Sequence, residues 1–431
     1  MRPARNSVEP IIKNTGSPAQ TRDRTSSGNL IKVLSRNIGQ VVLGDLCFET
    51  WFHSPYPDTV VYGEHYHTPR PALNEEHNKN GHTEIVTAPL IDRLYVCPHC
   101  FKYTRQVADY VEHLSRCLQN VAESGEWRPV PHSAEKVYEW DGYTIWDVDG
   151  EREKLYCQNL SLFAKLFLEQ KSVFFDTSGF HYFVLTRQAR VNAVRVPDEQ
   201  EKRRKRTSAA GGLAMKDQVL GFFSKETLSW DANNLACILV FPPYQHRNLG
   251  QLLMAASYKL SGWEWEHSVI GGPEKPLSAM GLKSYLRFWS ERIARFFMGQ
   301  SLDAEGRALF EPEHTKKKSS YAKEEMSVQD IGKRTGMLPE DVMAALKMMG
   351  LCQVMPQKRN KKSDESRTPT QSGEAALAAR MVRRSEVLAW AQKNNVTLVS
   401  PVMEEGFLGE WAMSNSDRRD ESSEGAVSAT S

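Results

Sequence analysis

A short apolar run, Leu235 to Phe241, is closed by Pro242 and Pro243 and opens into a polar turn at Gln245 to Gly250. Beyond that turn Leu252, Leu253, Ala256 and Leu260 recur at helical spacing. The run reads as a buried strand, and Gly250 to Ser261 as a helix. Strand, glycine-bearing turn and helix in that order point to a mixed α/β chain that presents free backbone N–H groups to a phosphate. A second polar turn follows, Gly271-Gly272-Pro273-Glu274-Lys275-Pro276. It holds one carboxylate between two prolines, which stiffen the bend. The rest of the chain is read as support for these two turns.

The 431 residues are enough for two or three domains, and 40% hydrophobic content allows a sizeable core. A formal charge of +2 excludes a molecule that binds polyanions with its whole surface. Basic residues do cluster, at Lys202 to Arg206 and Lys316 to Lys318. The first cluster suggests nuclear import, with contact to nucleosomal DNA as a second use and a merely solvated charge run as the plain alternative. Met1 to Arg36 lacks an apolar run, so no signal peptide is expected, and nothing approaches the length of a transmembrane helix. In the reducing setting this implies, the close pair Cys97 and Cys100 suggests metal rather than a disulfide.

Five regions are expected. Residues 1–36 are polar and read as disordered. Residues 37–130 carry strands (Val41 to Phe52), an irregular loop (58–85) and a small knuckle beginning at Leu94. Residues 131–300 form the core. It should contain a strand or hairpin at Val137 to Val148, a helix at Asn159 to Gln170, and strands at Val173 to Phe175, Tyr182 to Leu185 and Val219 to Phe223. The basic loop 187–217 interrupts these strands, and a helix at Leu282 to Phe297 ends the region. In that helix Leu282, Tyr285, Leu286, Trp289, Ile293 and Phe296 keep helical spacing. Residues 301–412 form a helical lobe, with a helix-turn-helix at Ser327 to Leu351, a linker at 357–373 and a helix at Ala375 to Lys393. Residues 413–431 read as a disordered tail.

The knuckle is Cys97-x2-Cys100, twelve residues, then His113-x3-Cys117. Three thiolates and one imidazole suit tetrahedral zinc with every position filled, which makes the site structural. The alternatives are a packed Cys100 beside a solvated His113, or a finger that reads DNA. A single finger covers only about three base pairs and would need company. The two turns are more open to interpretation. Gln245 to Gly250 has one glycine where phosphate loops carry two or more. Glu274 is a general base or an exposed loop glutamate. Cys237 is an acyl-accepting nucleophile or a core cysteine. Lys171, at a helix-to-strand junction, has a surface lysine as its plain reading.

Across Gln40 to Leu351 the chain closely resembles the MYST family of histone acetyltransferases. The matching residues are Glu49-Thr50-Trp51-Phe52 with Ser54-Pro55-Tyr56-Pro57, the whole knuckle, Tyr156-Cys157-Gln158-Asn159-Leu160 and Lys165-Leu166-Phe167-Leu168. They continue through Phe222-Phe223-Ser224-Lys225-Glu226, Asn234-Leu235-Ala236-Cys237-Ile238-Leu239 and Pro273-Glu274-Lys275-Pro276-Leu277-Ser278. The resemblance implies an N-acetyltransferase-like core that binds acetyl-CoA, with Glu274 as base and Cys237 beside it. It implies acetyl-CoA along Ala236, Cys237, Ile238, Leu239 and Val240 and over Gln245, His246, Arg247, Asn248, Leu249, Gly250 and Gln251, with Ser278 nearby. It also implies self-acetylation at Lys171 and places the helix-turn-helix in the catalytic fold. The expected activity is acetyl transfer to histone lysines, H4 foremost, in the nucleus and within a chromatin-modifying complex. The rivals are a catalytically weak scaffold of such a complex and a zinc-dependent DNA-binding factor.

A substrate lysine, with a side-chain pKa of about 10.4, is neutral in only about one molecule in 2,500 at pH 7, a cost of about 4.6 kcal/mol. A carboxylate in a partly apolar site can take that proton. The family's cradle runs Gln-Arg-x-Gly-x-Gly-Lys, whereas here His246, Asn248 and Gln251 replace the arginine, the first glycine and the lysine. Asparagine tolerates a left-handed backbone better than most residues, but losing the lysine removes a phosphate contact. Thirty-six leading residues are too few for a chromodomain. With Gly271-Gly272-Pro273-Glu274, that short leader resembles the "something about silencing" branch.

Overall fold

The computed structural model describes residues 11–12, 36–63, 91–123, 128–190, 215–229, 231, 233–264, 271–298, 325–351, 381–397 and 399–412. The expected N-terminal segment (but for residues 11–12 and 36), the basic clusters, the linker 357–373 and the tail lie outside them, as does most of the basic loop. The described residues fall into two compact units. One is drawn from Met1–Glu135, Gly142–Phe222 and Leu239–Gln245, the other from Lys136–Asp141, Phe223–Ile238 and His246–Ser431.

In the first unit, β1 (Ile11–Ile12), β2 (Ile38–Leu43), β3 (Leu46–Glu49), β4 (Ile91–Val96) and β5 (Tyr103–Thr104) form one sheet in the order β1-β3-β2-β4-β5. The expected strand at Val41 to Phe52 is therefore a hairpin. Gly44, at φ 64, turns β2 back antiparallel on β3, a conformation glycine adopts without penalty. The expected irregular loop opens with a short helix, α1 (Asp58–Tyr62). α2 (Val107–Glu123) follows the knuckle, and α3 (Lys154–Lys165) replaces the helix expected from Asn159, starting a turn and a half earlier. Trp51 N and Phe52 N both donate to Leu166 O at 2.9 Å, which ties the end of the hairpin to the end of α3. The rings of Phe101, Phe163 and Phe241 pack with centroids 4.8 to 6.0 Å apart; burying each such side chain contributes about 1.5–3 kcal/mol.

The same unit holds β7 (Tyr143–Asp149) antiparallel to β8 (Phe180–Arg190). β9 (Met215–Glu226) runs alongside as far as Phe222, followed by the end of β11 (Cys237–Val240), in the order β11-β9-β8-β7. A Cβ on Gly221 would lie 2.4 Å from Leu239 O, so the strands close only over a glycine. Val173 to Phe175 is not a strand. Three residues are too few to keep a ladder, Phe175 is exposed, and its carbonyl accepts from Gln158 Nε2 at 2.6 Å.

In the second unit, β6 (Glu135–Trp140) contributes Tyr138, which bridges Phe407 and packs on its ring. β10 (Asn233–Leu235) pairs in parallel with β12 (Gly272–Pro273). α4 (Leu249–Glu264) is apolar around most of its circumference and buried from Leu252 to Tyr258, as a helix at the centre of a core must be. α5 (Ala279–Met298) buries Tyr285, Phe288, Trp289, Ile293 and Phe297. Its buried stripe is rotated from the expected one, leaving Leu282 exposed and Phe296 half-buried.

The helix-turn-helix is present as α6 (Val328–Thr335) and α7 (Pro339–Met348). Ser327 caps α6 by accepting from Asp330 N, and Gly336 at φ 67 ends it. The expected helix from Ala375 enters the described residues at Met381, where Met381–Arg383 is a strand, β14, antiparallel to β13 (Glu325–Ser327). α8 (Arg384–Lys393) follows.

Candidate active site

The apolar run that begins at Leu235 is not one strand. The chain bends at Ala236, whose N–H donates to Ser224 O at 2.7 Å, and divides the run into β10 and β11. The bend lets one segment serve two partners. Before it, β10 pairs with β12, matching Leu235 to Pro273, and Glu274 N donates to Leu235 O at 2.9 Å. After it, Cys237 is half-buried with Sγ 3.0 Å from Ser224 Oγ. Within the second unit the parallel pairing thus ties the backbone of Glu274 to the strand end two residues before Cys237. Glu274 is exposed, so the partly apolar setting expected for it is not present in the free chain. Ser224 stands in a matched motif, but its contact with Cys237 was not legible in the sequence, because it depends on a strand neighbour thirteen residues away.

The cradle residues divide between the units. Leu239, Val240 and Gln245 belong to the first, where Gln245 Nε2 donates to Val240 O at 2.9 Å. Ala236, Cys237, Ile238, His246, Arg247, Asn248, Leu249, Gly250, Gln251 and Ser278 belong to the second. His246 and Asn248 are exposed and both left-handed, at φ 62 and 58. Asn248 O accepts from Gln251 N at 3.0 Å and Leu252 N at 3.2 Å, which starts α4. Gly250 is not left-handed, and a Cβ built on it meets nothing within 4 Å. The fold itself therefore does not require glycine at this position. Gln251 is only 8% exposed, with Oε1 lacking a partner among the described residues. Ser278 caps α5, its Oγ accepting from Gly281 N at 3.1 Å.

In the first unit Cys97, at the end of β4, and Cys100, in the turn before β5, face His113 and Cys117, which lie one turn apart on α2. Their ligand atoms lie within 4.8 Å of one another, with Cys97 Sγ to Cys117 Sγ at 4.0 Å and Cys100 Sγ to His113 Nε2 at 3.2 Å. A tetrahedral zinc with bonds of about 2.3 and 2.0 Å puts sulfurs roughly 3.8 Å apart and sulfur to nitrogen about 3.5 Å apart. The donor set fits. Within the cluster, hydrogen bonds from the Cys117 and Cys97 thiols hold Cys100 down, while its partnership with Cys100 drives Cys97 up. Lys171 is buried just beyond α3, its N–H donating to Leu168 O at 3.3 Å, and is not the surface lysine of the plain reading.

A model of the MOZ/SAS family matches residues 131–197 and 211–385. The histone acetyltransferase SAS2 of Saccharomyces cerevisiae is 31% identical over 338 residues, which is 78% of this chain and 81% of that one. The histone acetyltransferase Tip60 homolog of Caenorhabditis elegans is 28% identical, over 73% of this chain and 51% of its own. The histone acetyltransferase MOF of Drosophila melanogaster is 29% identical, over 72% of this chain and 27% of its own.

Proposed function

The chain belongs to the MOZ/SAS family and is an acetyltransferase with that family's fold, and from this premise we infer that it moves the acetyl group of acetyl-CoA to histone-tail lysines, H4 foremost. The observation that carries this reading is the backbone tie from Glu274 to Leu235 beside Cys237. It holds the backbone of Glu274 at the strand end that leads into Ala236 to Val240, along which the thioester would lie. Glu274 takes the proton from the substrate ammonium and releases the amine as a nucleophile. The amine attacks the thioester carbonyl, the C–N bond forms as the C–S bond breaks, and the leaving CoA thiolate takes up the proton that the new amide nitrogen sheds. Because Glu274 is exposed, the substrate itself supplies the apolar cover that makes its carboxylate a better base. Cys237 lines the acetyl position, with Ser224 holding its thiol.

Phosphate groups of acetyl-CoA bind the opening N–H groups of α4, and Gly250 leaves them room. Cys97, Cys100, His113 and Cys117 hold one structural zinc that braces the first unit and supplies no chemistry. Lys171 is the self-acetylation position. Residues 131–300 act as the catalytic core, with 37–130 and 301–412 as the knuckle region and helical lobe. The setting is the nucleus, within a chromatin-modifying complex. The test is incubation of the purified chain with labelled acetyl-CoA and tail peptides of each core histone. Label is expected first on the H4 peptide. Labelling of another tail instead would correct the substrate, and labelling of none would leave the scaffold reading.

A further inference from the structure

The turn that carries Glu274 is held from two sides within the second unit. On one side lies the pairing with β10. On the other, the turn is fastened to the helix-turn-helix. Gly271 N donates to Gly336 O at 3.2 Å, and Gly271 bridges Met337. Lys275 Nζ lies 2.8 Å from Asp341 Oδ1 and 3.2 Å from Glu340 Oε1, both in the first turn of α7. Asp341 is 2% exposed, and its Oδ2 has no hydrogen-bond partner among the described residues. A Cβ on Gly272 would sit 2.8 Å from that oxygen and 2.9 Å from Leu338 Cδ1. The start of α7 therefore packs directly on the backbone of the turn, and glycine at 272 makes the approach possible. A carboxylate this deeply buried persists where a cation meets it, and the cation here is the residue next to Glu274.

We propose that Asp341 is a positioning residue for acetyl transfer, acting through Lys275 to fix the turn of Glu274 and to set the charge around it. The proposal rests on the reading of Glu274 as the base. Lys275 follows Glu274 directly in the chain and carries a positive charge in the same turn, which Asp341 neutralises. Without Asp341 the lysine keeps, among the described residues, only Glu340 at the rim, and its freed charge holds the Glu274 carboxylate more firmly ionised and less basic. Without Lys275 the sign reverses: the cation is gone, and Asp341 adds an uncompensated negative charge wherever the pH keeps it ionised. Besides Lys275, the charged or titratable groups around Asp341 among the described residues are Glu340 on α7, Tyr258, Tyr285 and Arg292. Tyr258 of α4 and Tyr285 of α5, which feel its charge, are pushed up by burial. Arg292 of α5 lies 5.1 Å over the Tyr258 ring and is brought down by burial only to about 10.

The experiment measures kcat, KM for acetyl-CoA and the pH profile of kcat/KM for the parent, Asp341→Asn, Lys275→Met, the double variant and Glu274→Gln. Displacement of a catalytic group can cost up to about a hundredfold; here each single variant is expected to lose about tenfold in kcat at pH 7, with KM for acetyl-CoA little changed. The acid limb moves to lower pH in Asp341→Asn, to higher pH in Lys275→Met, and back toward the parent in the double variant. Parent kcat and parent midpoints in both singles, with Glu274→Gln inactive, would overturn the proposal and spare the base. Loss of activity in both singles without opposite shifts would also overturn it, because a merely structural pair produces no such sign change. Parent activity in Glu274→Gln would instead remove the base reading, and this proposal with it. Should Asp341→Asn fail to fold, Lys275→Met decides alone by its upward shift, with its fold checked by melting because Asp341 is then buried without its cation.

Discussion

Asn248 holds a left-handed conformation at φ 58, where the family's cradle has glycine. A non-glycine residue there carries strain of order 1 kcal/mol or more. Gln251, in place of the lysine, is buried and keeps one amide oxygen without a partner among the described residues. Together these argue that Asn248→Gly with Gln251→Lys tightens acetyl-CoA binding by about 1–2 kcal/mol, from relieved strain and a charge-assisted contact. Burial of Gln251 adds a cost the sequence did not reveal: the ligand-free double variant should melt lower, because a lysine there is desolvated until phosphate arrives. Gly250→Ala gives the converse pattern. Its Cβ meets nothing in the free chain and alanine favours a helix by about 1 kcal/mol, so Tm should hold or rise while calorimetry shows weaker acetyl-CoA binding. Loss of both Tm and affinity would mean that the glycine serves the fold. Asp341 offers a test that separates stability from activity. Burial pushes its carboxyl above the usual range, against the opposing pull of Lys275. The folded chain therefore binds this proton more tightly than the unfolded one, whose value is about 3.9. Stability from this group is full below that pH and is lost as pH rises toward the folded value. Asparagine has no proton to lose, so the Tm of Asp341→Asn relative to the parent should improve as pH rises from about 4 to 6. A constant difference across that range would contradict the assignment.

The knuckle is the element most legible in the sequence, because two ligands in a tight turn and two at i, i+4 on a helix can converge with little help from the rest of the fold. Chelation, or Cys100→Ser, should lower the melting temperature by several degrees or more, while acetyl transfer per folded molecule stays near the parent value. In isolated zinc peptides the metal is worth about 10–16 kcal/mol in apparent binding energy, of which a larger unit feels part. Metal analysis should find one zinc per chain, and selective loss of chemistry without loss of stability would contradict the structural role. Longer elements were legible in kind and less so in extent. α5 follows from periodicity and the helix-turn-helix from its pattern between Ser327 and Leu351, while the caps at Ser278 and Ser327 are seen only in the structure. The division of the run beginning at Leu235 into two strands was not legible, since the bend at Ala236 is fixed by Ser224 O on another strand. The short strand Met381–Arg383 has no local signal, because its ladder partner, Glu325–Ser327, lies more than fifty residues earlier. The pair Lys275–Asp341 was invisible for the same reason: nothing local links two residues sixty-six positions apart, although both stand in motifs that the sequence singled out.

For the whole molecule, a net charge of +2 leaves little long-range attraction for a basic histone tail, so recognition rests on local groups at the site rather than on overall charge. The activity was legible because its motifs are distributed from Glu49 to Ser278 and match the family in order, whereas the physical reading of any one turn stayed open. The central claim is that Glu274 removes a proton the substrate lysine would otherwise keep at neutral pH. The most direct measurement is the pH dependence of kcat for the parent and Glu274→Gln on an H4 tail peptide with saturating acetyl-CoA, alongside acetyl-CoA affinity by calorimetry. The predicted result is unchanged affinity, a loss of about a hundredfold or more near pH 7, consistent with general-base catalysis worth roughly 10²–10⁴, and partial recovery above pH 9, where lysine deprotonates unaided. Equal rates for the two proteins at pH 7, or an equal loss at every pH, would contradict it.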